Sequence, residues 1–207
     1  MELSIFDEII PMEFAELDLN KVYSYADYYK WKFEERVELI KGKIFKMSPA
    51  PNRLHQEVAG KLYLKLGTFL YNNPCKVYIA PFDVRLPRKS EKDEDIFTVL
   101  QPDLCVVCDR AKLDFRGCIG APDIVVEVLS PSTNKKELKY KYEVYEETGV
   151  KEYWVVFPVE RTMFIYTLVN GKYESSKLMV SGDLVTSGVL PGFSLDLAEL
   201  FEGIDIE

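Results

Sequence analysis

The sequence predicts an α/β (α+β) domain in which a mixed β-sheet is flanked by helices, with one hairpin near the N-terminus and another near the C-terminus. Three observations lead there. Short apolar runs and helical patterns follow one another as hairpin, helix, three strands, helix, strand, hairpin. Two turn-favouring dipeptides, Lys41-Gly42 and Asn170-Gly171, each separate a pair of apolar-rich runs. Apolar residues make up 47% of the 207 residues, enough for a sizeable core, and no apolar run reaches the ~18 residues of a membrane helix.

The elements can be justified in order. "YSYADYYKW" predicts a short helix, and "RVELIKGKIFKM" a hairpin turning at Lys41-Gly42. In "LHQEVAGKLYLKLGTFLY", Leu54, Val58, Leu62, Leu66 and Phe69 recur at helical spacing and form one apolar face. "KVYIAPFDVRLP" reads as one strand, bent at Pro81, and the charged stretch "RKSEKDEDIFT" as a mobile loop. "PDLCVVCD" and "PDIVVEVLS" read as strands joined by the loop "RAKLDFRGCIGA". "NKKELKYKYEVYEETG" is a helix that Asn134 and Glu137 would cap at its start, with Gly149 ending it. "KEYWVVFP" is a strand, "RTMFIYTLVNGKYESSKLMV" a hairpin, and "LPGFSLDLAELF" ends in a short helix. No linker marks a boundary, so one domain over 1–207 is expected, with its core at about 34–160.

Charge and cysteines narrow the function. The net charge of −8 disfavours nucleic acid as a partner of the whole surface, though a local basic patch can still act. The acidic start "MELSIFDEII" lacks a signal-peptide pattern, which points to the cytoplasm and to no membrane association. Cys105 and Cys108 form a C-x-x-C, yet on a strand side chains three apart face opposite ways, and no nearby His or second C-x-x-C completes a zinc site. Buried free thiols are expected.

The chemistry concentrates in acidic residues within apolar strands. Along 121–130, Asp123, Val125, Glu127 and Leu129 share one face and Ile124, Val126 and Val128 the other. Asp103 opens the preceding strand after Pro102, so Asp103 and Glu127 can converge. Paired carboxylates repel unless a cation intervenes, and Mg²⁺ uses one or two carboxylates with waters and substrate phosphate. The plainer reading pairs Glu127 with a structural Lys or Arg, or leaves it on a solvated sheet face. Lys141 borders the apolar side of its helix with Leu138, Tyr142 and Tyr145, and can face the sheet. Its plainer reading is a solvated i,i+4 pair with Glu137.

"QPD" at Gln101 to Asp103, "APDIVVEVLSPST", Lys141 with Tyr145, and "GVKEYWVV" together resemble the Uma-type predicted endonucleases of the PD-(D/E)xK superfamily. "VELIKGKIFKMSPAPNRLH" and "LPGFSLDLAELF" extend the likeness from about Tyr23 to Phe201. The resemblance implies a restriction-endonuclease-like fold and a Mg²⁺- or Mn²⁺-dependent endonuclease. Asp103 and Glu127 would be metal ligands, the Val128 carbonyl a third, and Lys141 the catalytic lysine. The superfamily pattern puts that lysine at position 129, where this chain has Leu129. Glu38 matches a recurrent position as an accessory ligand. His55, the chain's one histidine, also matches a recurrent position, although a lone His at a helix start is more often a hydrogen-bonded core residue. Asp83 is a secondary candidate, and Asp123 reads as structural.

The implied partner is nucleic acid, DNA first, with Arg53, Lys61, Lys65, Lys135, Lys136 and Lys139 as candidate contacts; each of them singly also fits a solvated helix face. The resemblance also allows a homodimer, for which the hairpin 161–180 is the candidate interface because it offers an exposed strand edge. The alternative is a non-catalytic module on the same fold, binding nucleic acid or protein, which Leu129 and the acidic total favour.

Overall fold

The computed structural model describes residues 13–47, 51–130 and 135–205, with no account of the side chains of 135–137. The capping role expected of Asn134 and Glu137 lies outside the described residues. The α-helices among the described residues are α1 (Tyr25–Tyr28), α2 (Arg53–Phe69), α3 (Lys135–Thr148) and α4 (Leu197–Phe201). None of the described helices is long and apolar enough to cross a membrane.

The expected mixed α+β architecture is present, and among the described residues its strands are divided between two six-stranded sheets and a small two-stranded one. The first sheet contains β1 (Val37–Ile40), β2 (Lys43–Lys46), β4 (Val84–Arg85), β5 (Val99–Leu100), β7 (Leu113–Asp114) and β8 (Gly117–Ile119), in the order β2-β1-β5-β4-β8-β7. The second contains β3 (Lys76–Ile79), β6 (Leu104–Val107), β9 (Ile124–Val128), β10 (Glu152–Phe157), β11 (Thr162–Val169) and β12 (Lys172–Ser175), in the order β12-β11-β10-β9-β6-β3. The strands β13 (Leu184–Thr186) and β14 (Ser194–Asp196) pair antiparallel beside α4.

Two strand expectations are corrected here. The run from Lys76 to Pro87 is two strands, β3 and β4, which belong to different sheets. The chain leaves one sheet at Ile79 and enters the other at Val84, so an apolar run that looked continuous serves two layers. The stretch expected to be a loop between β6 and β9 folds into a short 3₁₀ turn at Arg110–Lys112 and the β7–β8 pair. Gly117 permits it: φ is +131°, and a Cβ there would meet the Asp83 carbonyl oxygen at 2.3 Å. The charged stretch 88–98 is anchored rather than loose, with Asp93 paired to Arg116 at 2.6 Å and Ile96 fully buried.

Turn chemistry sets both predicted hairpins. Lys41 and Gly42 have φ of 52° and 77°, and Asn170 and Gly171 have 50° and 78°. Positive φ at both central positions gives the primed turn that matches strand twist. Gly149, with φ 89°, ends α3 and donates its N–H to the Tyr145 carbonyl at 3.2 Å.

The second sheet is covered on both faces. Leu104, Val106, Ile124, Val126, Trp154 and Val156 meet Val58, Leu62 and Leu66 of α2 and the C-terminal segment. Cys105, Val107, Val125, Tyr153 and Val155 meet Val144 and Tyr145 of α3 and Ile40, Val84 and Leu100 of the first sheet. This double coverage explains the near-continuous β-branched run of β9, since a strand buried on both faces has no solvent side to fill with polar residues.

The free-thiol expectation fails for Cys108, which forms a disulfide with Cys75. The opposed faces of the C-x-x-C hold: Cys105 packs with Cys118 in one layer and Cys108 lies in the other. Beyond that, β3 and β6 pair antiparallel with Lys76 opposite Val107, so the next pair outward is Cys75 and Cys108. The partner came from strand register, which the C-x-x-C spacing does not contain. Cys105 and Cys118 are free and buried.

Candidate active site

Strand register brings the two acidic candidates together. β6 and β9 run antiparallel with Leu104 opposite Val126, which sets Asp103 opposite Glu127 on the same face. Asp103 is also tied across the strands, its Oδ2 accepting the Val128 N–H at 2.7 Å. Glu127 occupies the middle of the sheet, between β6 and β10.

Glu127, Glu38 and Lys141 are 8%, 0% and 6% exposed. Charges this deep require partners. Lys141, from α3, places Nζ 3.1 Å from Glu127 Oε1 and 3.1 Å from Glu38 Oε1. Tyr145, one turn further along α3, donates its hydroxyl to the same Glu127 oxygen at 2.9 Å. Glu38, from β1, also accepts the Gln101 N–H at 2.8 Å. The first sheet, the second sheet and α3 thus each contribute one charged group to a single buried point.

The electrostatics follow from this burial. Removal from water pushes the Glu127 carboxyl up to about 8; Lys141 opposes that rise, and the nearby Asp103 and Glu38 carboxylates add to it. Tyr145 is raised well above its ordinary range, first by burial and then by the adjacent carboxylates, so its hydroxyl remains a donor.

Two further candidates stand at the rim. His55, at the start of α2, has Nε2 3.1 Å from Asp103 Oδ2. Asn52 caps α2 by accepting the His55 N–H at 2.9 Å, which fixes that end of the helix. Asp83 stands one step removed: it accepts from Gln101 Nε2 at 2.8 Å and from the Tyr28 hydroxyl at 3.3 Å, and burial raises its pKa. Its link to the carboxylate cluster runs through Gln101, whose backbone holds Glu38. Asp123 caps strand ends by accepting from the Cys108 N–H at 2.8 Å and pairing with Lys151 at 2.7 Å.

Sequence reasoning gave no role to Gln101 or to the Tyr145 hydroxyl. Tyr145 had a usable signal, being four residues after Lys141 on one helix face. Gln101 stood in the "QPD" block of the resemblance, but no local pattern pointed to its contacts, which come from α1, the loop before β4, and β1.

The expected basic surface on α2 is largely engaged. Lys65 pairs with Glu199 at 2.6 Å, Lys61 donates to the Glu202 carbonyl, and Arg53 pairs with Glu57 at 2.9 Å. On α3, Lys139 lies 3.9 Å from Glu143. The side chains of Lys135 and Lys136 are outside the described residues.

The fit to a divalent cation rests on the donors. Among the described residues, no three His, Cys, Asp or Glu side chains form a preassembled metal cage. An ion of the Mg²⁺ type needs only one or two carboxylates beside water and substrate oxygens. Among the described residues, Glu38 Oε2 is buried with no hydrogen-bond partner, an acceptor that suits a cation or its water. Asp103 and Glu127, opposite each other on neighbouring strands, with Glu38 joined to Glu127 through Lys141, are donors of the right chemistry.

Comparisons with known proteins bear on the family and the fold. The Uma2 family, described as "Putative restriction endonuclease", matches residues 25–198. The fold resembles the crystal structure titled a putative nuclease belonging to DUF820 from Anabaena variabilis, with TM-score 0.68 and 20% identity over 86% of this chain and 97% of that one. No curated protein matched.

Proposed function

The chain belongs to the Uma2 family, and from that membership and the site's geometry we propose that it is a divalent-metal-dependent endonuclease hydrolysing phosphodiester bonds of nucleic acid, DNA in the first place. The observation that carries the reading is the convergence of Lys141 on Glu127, directly beside Asp103. A purely structural ion pair would not call for a second carboxylate at the same buried point, nor for a third, Asp103, opposite Glu127 on the neighbouring strand.

In this reading Asp103 and Glu127 would hold Mg²⁺ or Mn²⁺, with the Val128 carbonyl as a third ligand and Glu38 as an accessory one. When bound, such an ion lowers the pKa of a coordinated water and neutralises charge on the scissile phosphate. The residues of the chain do the positioning. The Val128 N–H and His55 fix the Asp103 carboxylate, and Tyr145 and Lys141 fix Glu127. Lys141 supplies a buried positive charge that can steady negative charge developing on phosphate oxygens as water attacks in line and the P–O bond breaks. The lysine expected at position 129 is thereby replaced from α3, and Leu129 packs against the apolar layer instead.

A second reading, a binding module without catalysis, is favoured by the net charge of −8 and by the engagement of the α2 lysines with the C-terminal segment. Calorimetric titration of Mg²⁺ and Mn²⁺ into wild type and Glu127→Gln, followed by cleavage assays on DNA and RNA, separates the two. Binding lost in the variant, with cleavage by wild type, supports the nuclease. No binding at millimolar metal, with and without a short duplex, favours the module. Its cytoplasmic location and a homodimer through β12, an edge strand of its sheet, belong to the same proposal. Light scattering tests the dimer.

A further inference from the structure

We propose that Arg36 is a phosphate-contacting residue at the mouth of this site, held ready by Gln101; the inference rests on the nuclease reading and adds a substrate contact to it. Met47 donates its N–H to the Arg36 carbonyl at 2.9 Å, so the β1–β2 ladder continues one residue past Val37. Strand alternation then puts Arg36 on the same face of β1 as Glu38, roughly 7 Å further along. Glu38 is fully buried and Arg36 is exposed, so this face runs from solvent into the carboxylate cluster.

Arg36 is oriented by a neutral group. Gln101 Oε1 accepts from Arg36 Nη2 at 2.7 Å and from Nε at 3.3 Å. The same Gln101 holds Glu38 through its backbone N–H, and its side-chain amide is locked by donation to Asp83. Arg53, Arg88 and Arg116 each pair with a carboxylate. Among the described residues, Arg36 has no carboxylate within ion-pair distance, and the rest of its fork has no protein acceptor. A guanidinium offers five N–H donors in a plane that matches a phosphate bidentately. In an acidic protein, a positioned cation without an acidic partner, two residues along the strand from a buried site glutamate, fits a strand of nucleic acid lying across the site. The arrangement also accounts for why the α2 lysines need not form the rim.

The test is equilibrium binding by fluorescence anisotropy, using labelled duplex DNA, single-stranded DNA and RNA oligonucleotides, with Ca²⁺ replacing Mg²⁺ to limit turnover. Wild type, Arg36→Gln, Arg36→Lys and a control, Lys177→Gln, are compared over a salt series, with circular dichroism to confirm folding. Arg36→Gln is expected to bind about tenfold more weakly. Its slope of log K against log salt should fall by about 1. Arg36→Lys should keep the slope but bind more weakly than wild type, and Lys177→Gln should match wild type. If wild type binds and Arg36→Gln shows the same affinity and slope, the Arg36 assignment is overturned while the nuclease reading stands. If wild type binds none of the oligonucleotides, the nuclease reading falls and takes Arg36 with it. Should Arg36→Gln not fold, Arg36→Lys decides, and wild-type affinity in that variant overturns the contact.

Discussion

Lys141 Nζ lies 3.1 Å from Glu127 Oε1, and both side chains are almost wholly removed from water. The same ammonium serves Glu38, so it stands between two carboxyl groups that would repel each other when both are ionised. Replacing Lys141 with Met leaves both without their cation. Breaking a buried pair from one side costs about 3–5 kcal/mol. Urea denaturation at pH 8 should show a loss of that order for Lys141→Met. The loss should shrink at pH 5, where Glu127 can take up a proton.

Glu127 gives the metal-free protein a specific pH dependence. Its carboxyl is raised to about 8, chiefly by burial, while an unfolded Glu titrates at 4.5. Below the unfolded value both states hold the proton and no penalty arises. Between the two values the unfolded chain has released the proton and the native state keeps it, so stability falls as pH rises. Glu127→Gln removes this term. The variant should gain on wild type by up to about 1.4 kcal/mol per pH unit across that window. Chemical denaturation in EDTA at half-unit pH steps measures it, and parallel pH curves for the two proteins would show the term to be absent.

Tyr145→Phe deletes the hydroxyl that donates to Glu127 at 2.9 Å and leaves the ring in its packing place. The expected cost is about 1–2 kcal/mol. Under the nuclease reading, metal affinity should also fall, because Glu127 loses one of the two groups that fix it. Thermal melting and the metal titration read the two effects separately.

The Cys75–Cys108 bond closes a loop with a sequence separation of 33. Removing it through Cys75→Ser should lower stability by about 2–4 kcal/mol. Thiol counting on denatured protein, without reductant, should find two reactive groups of the four cysteines. Such bonds are uncommon in reducing compartments, so the same count on protein freshly released from cells bears directly on the expected cytoplasmic location.

Local chemistry made much of the molecule readable. Both hairpin turns, the apolar face of α2, the Gly149 end of α3 and the shared strand face of Val125 and Glu127 follow from rules acting over a few residues. The same alternation placed Asp103 where it could meet Glu127, helical spacing let Lys141 face the sheet, and the family resemblance gave Lys141 its role and supplied Glu38 and His55. The fold's division into two sheets was not readable, because the run from Lys76 to Pro87 looks alike whether it serves one sheet or two.

By itself, then, the sequence determined the two hairpins, the two long helices and the acidic residues set into apolar strands, since each depends on backbone preference and side-chain period. Only the tertiary structure decided which groups touch. The Cys75–Cys108 pairing needed the β3–β6 register, and the gathering of Glu38, Glu127 and Lys141 needed two sheets and a helix packed together. Gln101 acquired its role as a joint between Glu38, Asp83 and Arg36 for the same reason. Contacts between segments distant along the chain are selected by the packing of the whole, and no local pattern encodes them.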